Sequence, residues 1–216
     1  DDQAIFKWAG ADVDHFIALK EEVNDIKVLN QSYRIPGGPI HELSQNIINK
    51  VQNRFDKDYK PRAEEGILKR YSDITQVDMS KGNWLVLSSA NYFLDDAKDL
   101  CEIQGWYYQF KGRNSIPLKL LLALNNWEAW RKDAQLNHLE IKNIYEYLGS
   151  HVLPGFQKGK TLHSDTKYLM KDCRAEHGLV TDSVWYEAFE GLDNMTETYI
   201  RNMRANGEMI NKNPRI

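Results

Sequence analysis

Two stretches of this chain carry side chains that could act on a phosphoryl group or a nucleobase. In "DDQAIFKWAGADVDHF" the candidates are Gln3, Phe6 and Trp8, and in "VLNQSYRIP" they are Tyr33 and Arg34. Gln3 is a neutral amide in a loop, able to donate to a phosphate oxygen or to orient a water, or simply to be solvated. Phe6 and Trp8 lie two residues apart, so in an extended segment they project to the same side. Such a pair can form a platform on which bases stack, for roughly 1–3 kcal/mol each, although aromatics more often serve a core. The small residues Ala9, Gly10 and Ala11 leave the Trp8 face clear. Tyr33 can stack on a purine, and Arg34 can offer a rigid fork of donors to a transferring phosphoryl group. The competing reading of both is a solvated rim.

The elements that must position these groups follow from periodicity. The first 25 or so residues read as a loop and a short helix with Val13, Phe16 and Ile17 on one face. "IKVLNQSYR" (26–34) is a β-prone run that places Tyr33 and Arg34 at a strand end, where ligands of α/β sheets bind. "IPGGP" ends it, and Pro39 opens a helix whose Ile40, Leu43, Ile47, Val51 and Phe55 define a buried stripe. "EEGILKRYS" and "NWLVLSSA" read as strands, the second covered on both faces. A helix from Asn91 to Gln104 turns Leu94, Ala97, Leu100 and Cys101 inward and stops at Gly105, with Asn91 as a candidate N-cap. "WYYQFKG" supplies a further strand. The order strand, helix, strand, helix, strand predicts a parallel α/β sheet.

Beyond about residue 115 the pattern becomes helical. "SIPLKLLLALNNWEAW" is one helix, and Asn137 with Glu140 forms a capping box for "HLEIKNIYEYL", whose Ile141, Ile144, Tyr145 and Leu148 share a face. The closing "KNPRI" reads as the start of another strand. The 216 residues carry 42% hydrophobic residues and a net charge of −3, so any contact with nucleic acid must be local. Two cysteines, Cys101 and Cys173, make no disulfide framework and point to a reducing compartment. No apolar run approaches a membrane span, so a cytoplasmic protein is expected.

"DDQAIFKWAGAD" followed by "LNQSYRIP" resembles the third and fourth motifs of superfamily 1 DNA helicases of the UvrD/Rep type, especially phage-like members. "WLVLSSANYFLDDAKDLCEIQGWYYQFKG" is similar to the segment that follows in their second RecA-like lobe. The likeness spans about residues 1–130. It implies a second RecA-like lobe of P-loop NTPase type over 28–130, the tail of the first lobe over 1–27, an all-helical accessory insertion over 131–211, and a return to the lobe over 212–216. Gln3 and Arg34 then act in catalysis, Tyr33, Arg34 and Gln3 bind ATP, and Phe6, Trp8 and Asn91 contact single-stranded DNA. The implied activity is ATP hydrolysis coupled to movement on single-stranded DNA and unwinding at duplex junctions, in the cytoplasm of a bacterial or phage-infected cell.

The phosphate-cradling loop and the acidic pair for Mg²⁺ would precede Asp1, and the fifth and sixth motifs would follow Ile216. The chain alone is therefore expected to be inactive, with no metal ligands of its own. A non-catalytic nucleic-acid-binding or regulatory module with the same lobe is the alternative. Ala9 and Ser89 stand where the family usually carries arginine, which implies a weaker grip on DNA and a smaller salt dependence.

Two other patterns fall short. "PGFQKGKT" imitates a phosphate loop, but Pro154 stands where the first glycine belongs, so a basic turn with Lys158 and Lys160 is expected. Cys173 and His177 are four apart on a helix, with His163 nearby, yet a zinc site usually needs four ligands.

Overall fold

The computed structural model describes residue 10 and residues 12–154, 159–208 and 213–216. The chain is a mixed α/β fold with a small parallel sheet and several helices, and it divides into two compact units, residues 1–71 and 72–216.

In the first unit, α1 (Val13–Ala18) is capped by the Asp12 carboxylate, which accepts from the backbone N–H groups of Asp14 and His15. Strand β1 (Gln31–Gly37) pairs in parallel with β2 (Lys60–Glu65), and α2 (Pro39–Ile48) connects them. Gly38 adopts φ 66° at the helix N-cap, and Pro39 sits in the first turn as expected. Gly66 follows β2 so closely under Ile40 and Pro36 that an added Cβ would lie 2.4 Å from the Ile40 Cδ1. The expected buried stripe on this helix is not formed. The helix ends at Ile48, Ile47 and Val51 are exposed, and none of the apolar side chains described in residues 10–71 is buried. A two-stranded sheet with one covering helix lacks the surface to enclose them. The strand expected over "EEGILKRYS" also differs: β2 ends at Glu65, and Ile67 is exposed.

The second unit has a large core running from Tyr107 to Met203. Its centre is α4 (Leu118–Trp130), which buries Leu120, Leu121, Ala123, Leu124, Trp127 and Trp130. Against it lies α5 (His138–Tyr145), started by the expected capping box: Asn137 accepts from the Leu139 and Glu140 N–H groups, and Glu140 accepts from the Asn137 N–H. Ile141, Ile144, Tyr145 and Leu148 are all buried. Shorter helices α6 (Met170–Glu176) and α7 (Trp185–Ala188) close the sides, and an antiparallel pair of two-residue strands, Leu136–Asn137 with Lys167–Tyr168, staples them.

Helix α3 (Asp95–Gln104) ends at Gly105 in the left-handed conformation, as expected. The glycine is required twice over, because α8 (Asn194–Ala205) comes so close that a Cβ would lie 2.4 Å from the Asn202 carbonyl carbon. Asn202 donates to the Ile103 carbonyl at 2.9 Å, and the Tyr199 hydroxyl donates to the Trp106 carbonyl at 2.8 Å. A second, smaller cluster of Met79, Leu100, Cys101 and Trp106 lies under α3.

Residues 84–88 differ from expectation, forming no strand. Leu85 and Leu87 are 80% and 79% exposed, while Val86 turns toward the smaller cluster. The alternation is that of an extended chain, but among the described residues the neighbouring backbone supplies only a single rung: the Trp84 N–H donates to the Arg215 carbonyl at 2.8 Å. On its other side Arg215 donates its N–H to the Tyr107 carbonyl at 3.2 Å, and Gln109 donates to Ile216 at 2.8 Å. Residues 215–216 thus bond to two extended segments, but the strand start expected at "KNPRI" is not formed over 213–216. The Arg215 side chain anchors them through the buried Glu208 carboxylate and the Ser80 carbonyl.

Both cysteines are free and buried. Burial, helped by the Glu102 carboxylate, pushes the Cys101 thiol up to about 12. Burial likewise pushes Cys173 up to about 11, partly offset by a hydrogen bond with Tyr145. A thiol at 11 is thiolate to only about one part in a thousand at pH 8, and the thiolate is the nucleophile. The folded chain is therefore expected to react with a disulfide reagent at pH 8 only on the timescale of its unfolding. Two thiols should then titrate rapidly in denaturant; fast stoichiometric labelling without denaturant would contradict this burial.

Candidate functional site

Gln31 pairs with Lys60, Pro36 with Arg62 and Gly37 with Glu65. Between the first two rungs β1 advances five residues (31 to 36) while β2 advances two (60 to 62). The excess chain is looped out as a bulge, and Tyr33 and Arg34 lie on it. They are therefore not at the carboxyl end of the strand, where periodicity puts them, but within an interruption of it. Bulges of this kind re-aim side chains and break the ladder locally.

Ser32 organises the bulge. It is buried, and its hydroxyl oxygen accepts from the backbone N–H groups of Arg34 at 3.2 Å and Ile35 at 2.9 Å. That satisfies two donors which the broken ladder would leave without partners. Gln31 fastens the base: its amide nitrogen donates to the Ser32 carbonyl and, across to β2, to the Pro61 carbonyl, both at 2.9 Å. With the backbone held from inside, the two following side chains face outward. Tyr33 is 84% exposed, and Arg34 is exposed and forms no ion pair among the described residues. An open aromatic face beside an uncommitted guanidinium can stack on a planar ring and fork onto phosphate oxygens. Periodicity does not reveal Ser32 or Gln31, although three consecutive polar residues, Asn30 to Ser32, in a β-prone run are a sign that the strand is broken.

The other candidates are placed less completely. Gln3, Phe6 and Trp8 lie outside the described residues, as does Lys158. Asn91 belongs to the second unit. It is exposed, and it begins a 3₁₀ turn, Asn91–Leu94, whose N-cap is Ala90, so it does not cap α3. Its amide is thus not spent on the helix start. Lys160 is exposed in a turn that follows Gly159. Cys173 packs beside Tyr145, and the His177 ring meets the Tyr168 ring edge-on and the Thr161 hydroxyl at 2.8 Å. Among the described residues no group of three or more His, Cys, Asp or Glu could hold a metal ion.

The first unit also has an open groove of about 530 Å³ between α1, residues 23–29 and Phe55, with Lys20 and Lys27 at its rim. It does not include Tyr33 or Arg34. Among the described residues no helix is long and apolar enough to cross a membrane. No family model matches the chain, and no curated protein and no solved structure is significantly similar to it.

Proposed function

We propose that this chain is the second RecA-like lobe, with its helical accessory insertion, of an ATP-dependent DNA helicase or translocase of superfamily 1. The reading is supported most by the bulge of β1, which displays an open tyrosine ring and an exposed guanidinium side by side on a hydroxyl-locked backbone. It is supported also by the two helicase-like motifs that the sequence carries in order. Tyr33 stacks on the adenine, Arg34 neutralises charge developing on the transferring phosphoryl group, and Gln3 orients the attacking water. Phe6, Trp8 and Asn91 contact single-stranded DNA. Mg²⁺ and the other phosphate contacts come from a first lobe, so the isolated 216 residues hydrolyse no ATP.

The test is nucleotide affinity in a polypeptide that joins this chain to a phosphate-binding lobe, read with a fluorescent ATP analogue. Tyr33→Ala should weaken binding at least about fivefold, the lower end of what one aromatic–base stack contributes. If nucleotide affinity is unchanged while DNA is still bound, the chain is a non-catalytic nucleic-acid-binding module instead. Mutation-sensitive ATP hydrolysis by the 216 residues alone would reject the division of labour.

A further inference from the structure

Lys111 occupies a backbone position that does not suit a lysine. Strands β3 (Gln109–Phe110) and β4 (Arg113–Asn114) form a hairpin closed by two residues, Lys111 and Gly112, with φ of 50° and 77°. Two positive φ values in a two-residue hairpin loop are the type I′ geometry, which favours Asn or Gly at its first position. A side chain with an ordinary Cβ is disfavoured there. A residue kept against the local preference of its backbone is reason to look for a use of its side chain.

The surroundings indicate the use. Lys111 Nζ lies 5.3 Å from the centre of the Phe110 ring, and Lys98 Nζ lies 4.8 Å from the same ring. Arg113 is exposed on the next strand. Lys111 and Arg113 have no carboxylate partner among the described residues, and Lys98 shares its charge only with the exposed Asp95. Two cations thus flank one aromatic ring, and Arg113 stands opposite Phe110 across the hairpin, in a chain whose net charge is −3.

Lys98 belongs to the first turn of α3, so its side chain links the hairpin to that helix's N-terminal end. The same end is preceded by the Asn91–Leu94 turn, where Tyr92 and Phe93 are 67% and 56% exposed with ring centroids 4.2 Å apart. Within α3, Asp95 and Lys98 lie three apart on one face, and their side chains pair at 2.5 Å. From Phe93 to Lys98 is on the order of 8–10 Å along the axis. Clustered cations near exposed aromatics are the combination that tracks a phosphate backbone and stacks unpaired bases.

We propose that the β3–β4 hairpin tip, through Lys111, Arg113 and Lys98, binds the backbone of a single nucleic-acid strand whose bases meet Tyr92 and Phe93. The choice of nucleic acid as partner rests on the helicase reading. The choice of a single strand rests on the exposed rings, which a duplex would leave without stacking partners and an acidic polypeptide would not need.

The experiment is fluorescence anisotropy of a labelled oligothymidylate with the 216-residue chain, at 50 mM salt and across a salt series. Lys111→Asn and Arg113→Gln should each weaken binding about eightfold at 50 mM and flatten the log–log salt slope by about 0.7, the share of one single-strand phosphate contact. Lys111→Asn should at the same time raise Tm by about 2–4 °C, because asparagine suits the turn. A purely structural lysine would give the thermal gain without the affinity loss, and that result overturns the proposal. So would no binding of oligothymidylate at 50 mM salt, tighter binding of a duplex than of the single strand, or displacement by polyglutamate at equal charge. Each of these leaves the Tyr33→Ala nucleotide measurement unaffected, so the hairpin and the helicase reading fail separately.

Discussion

Arg34→Ala is expected, on the proposed helicase reading, to lower ATP turnover by about 10³–10⁵-fold in a polypeptide that joins this chain to a phosphate-binding lobe, the range that an arginine finger contributes. The expectation follows from what the side chain has and lacks around it. Among the described residues no carboxylate competes for the guanidinium, and the backbone beneath it is fixed by the Ser32 hydroxyl at the Arg34 and Ile35 N–H groups. Its charge is therefore not spent among the described residues, and the backbone from which it projects is held in place. The loss should fall on kcat more than on KM, because the charge it meets develops in the transition state. Arg34→Lys should recover little, since an ammonium cannot reproduce the planar two-pronged contact. Steady-state kinetics of the wild type and the two variants decide it: unchanged kcat in Arg34→Ala would remove the residue from the chemistry.

Trp127→Ala should destabilise residues 72–216 by about 3–5 kcal/mol, a large part of the 5–15 kcal/mol that a domain usually has. The indole is fully buried in α4, lies edge-on to Trp130 at 6.2 Å and to Phe189 at 6.1 Å, and donates to the Ser183 carbonyl at 3.1 Å. Truncation leaves a cavity between three elements that cannot all collapse, and it leaves that carbonyl without its donor. Trp127→Phe keeps most of the volume and loses chiefly the hydrogen bond, so its cost should be about 1–2 kcal/mol. Urea unfolding of the two variants separates packing from hydrogen bonding. Equal midpoints for Trp127→Ala and wild type would mean that the helical core is not what holds this unit together.

Much of the second unit was legible before its structure. The capping box at Asn137 and Glu140, the stop at Gly105, and the inward face of Ile141, Ile144 and Tyr145 depend on residues within one or two helical turns of each other. The strands were read less well. "NWLVLSSA" has the composition of a sheet core, yet a strand is completed only by neighbours on both sides, and here the described chain gives it a single backbone rung. The stripe on α2 failed for a similar reason, since periodicity states which face is apolar and not whether anything covers it.

For the candidate site, residue types alone marked Tyr33 and Arg34 as groups able to meet a ring and a phosphate. Their presentation was decided by tertiary pairing, because the bulge exists only through the unequal advance of β1 against β2, a relation between segments almost thirty residues apart. The hairpin at Lys111 belongs to the same class. Its amino acids read as the end of a strand, and only the backbone dihedrals show a lysine held in a turn that prefers asparagine. Local order follows from neighbouring side chains competing for a few backbone groups, so the amino-acid sequence determined it. Which side chains are left free to meet a ligand depends on long-range contacts, and only the tertiary structure decided that.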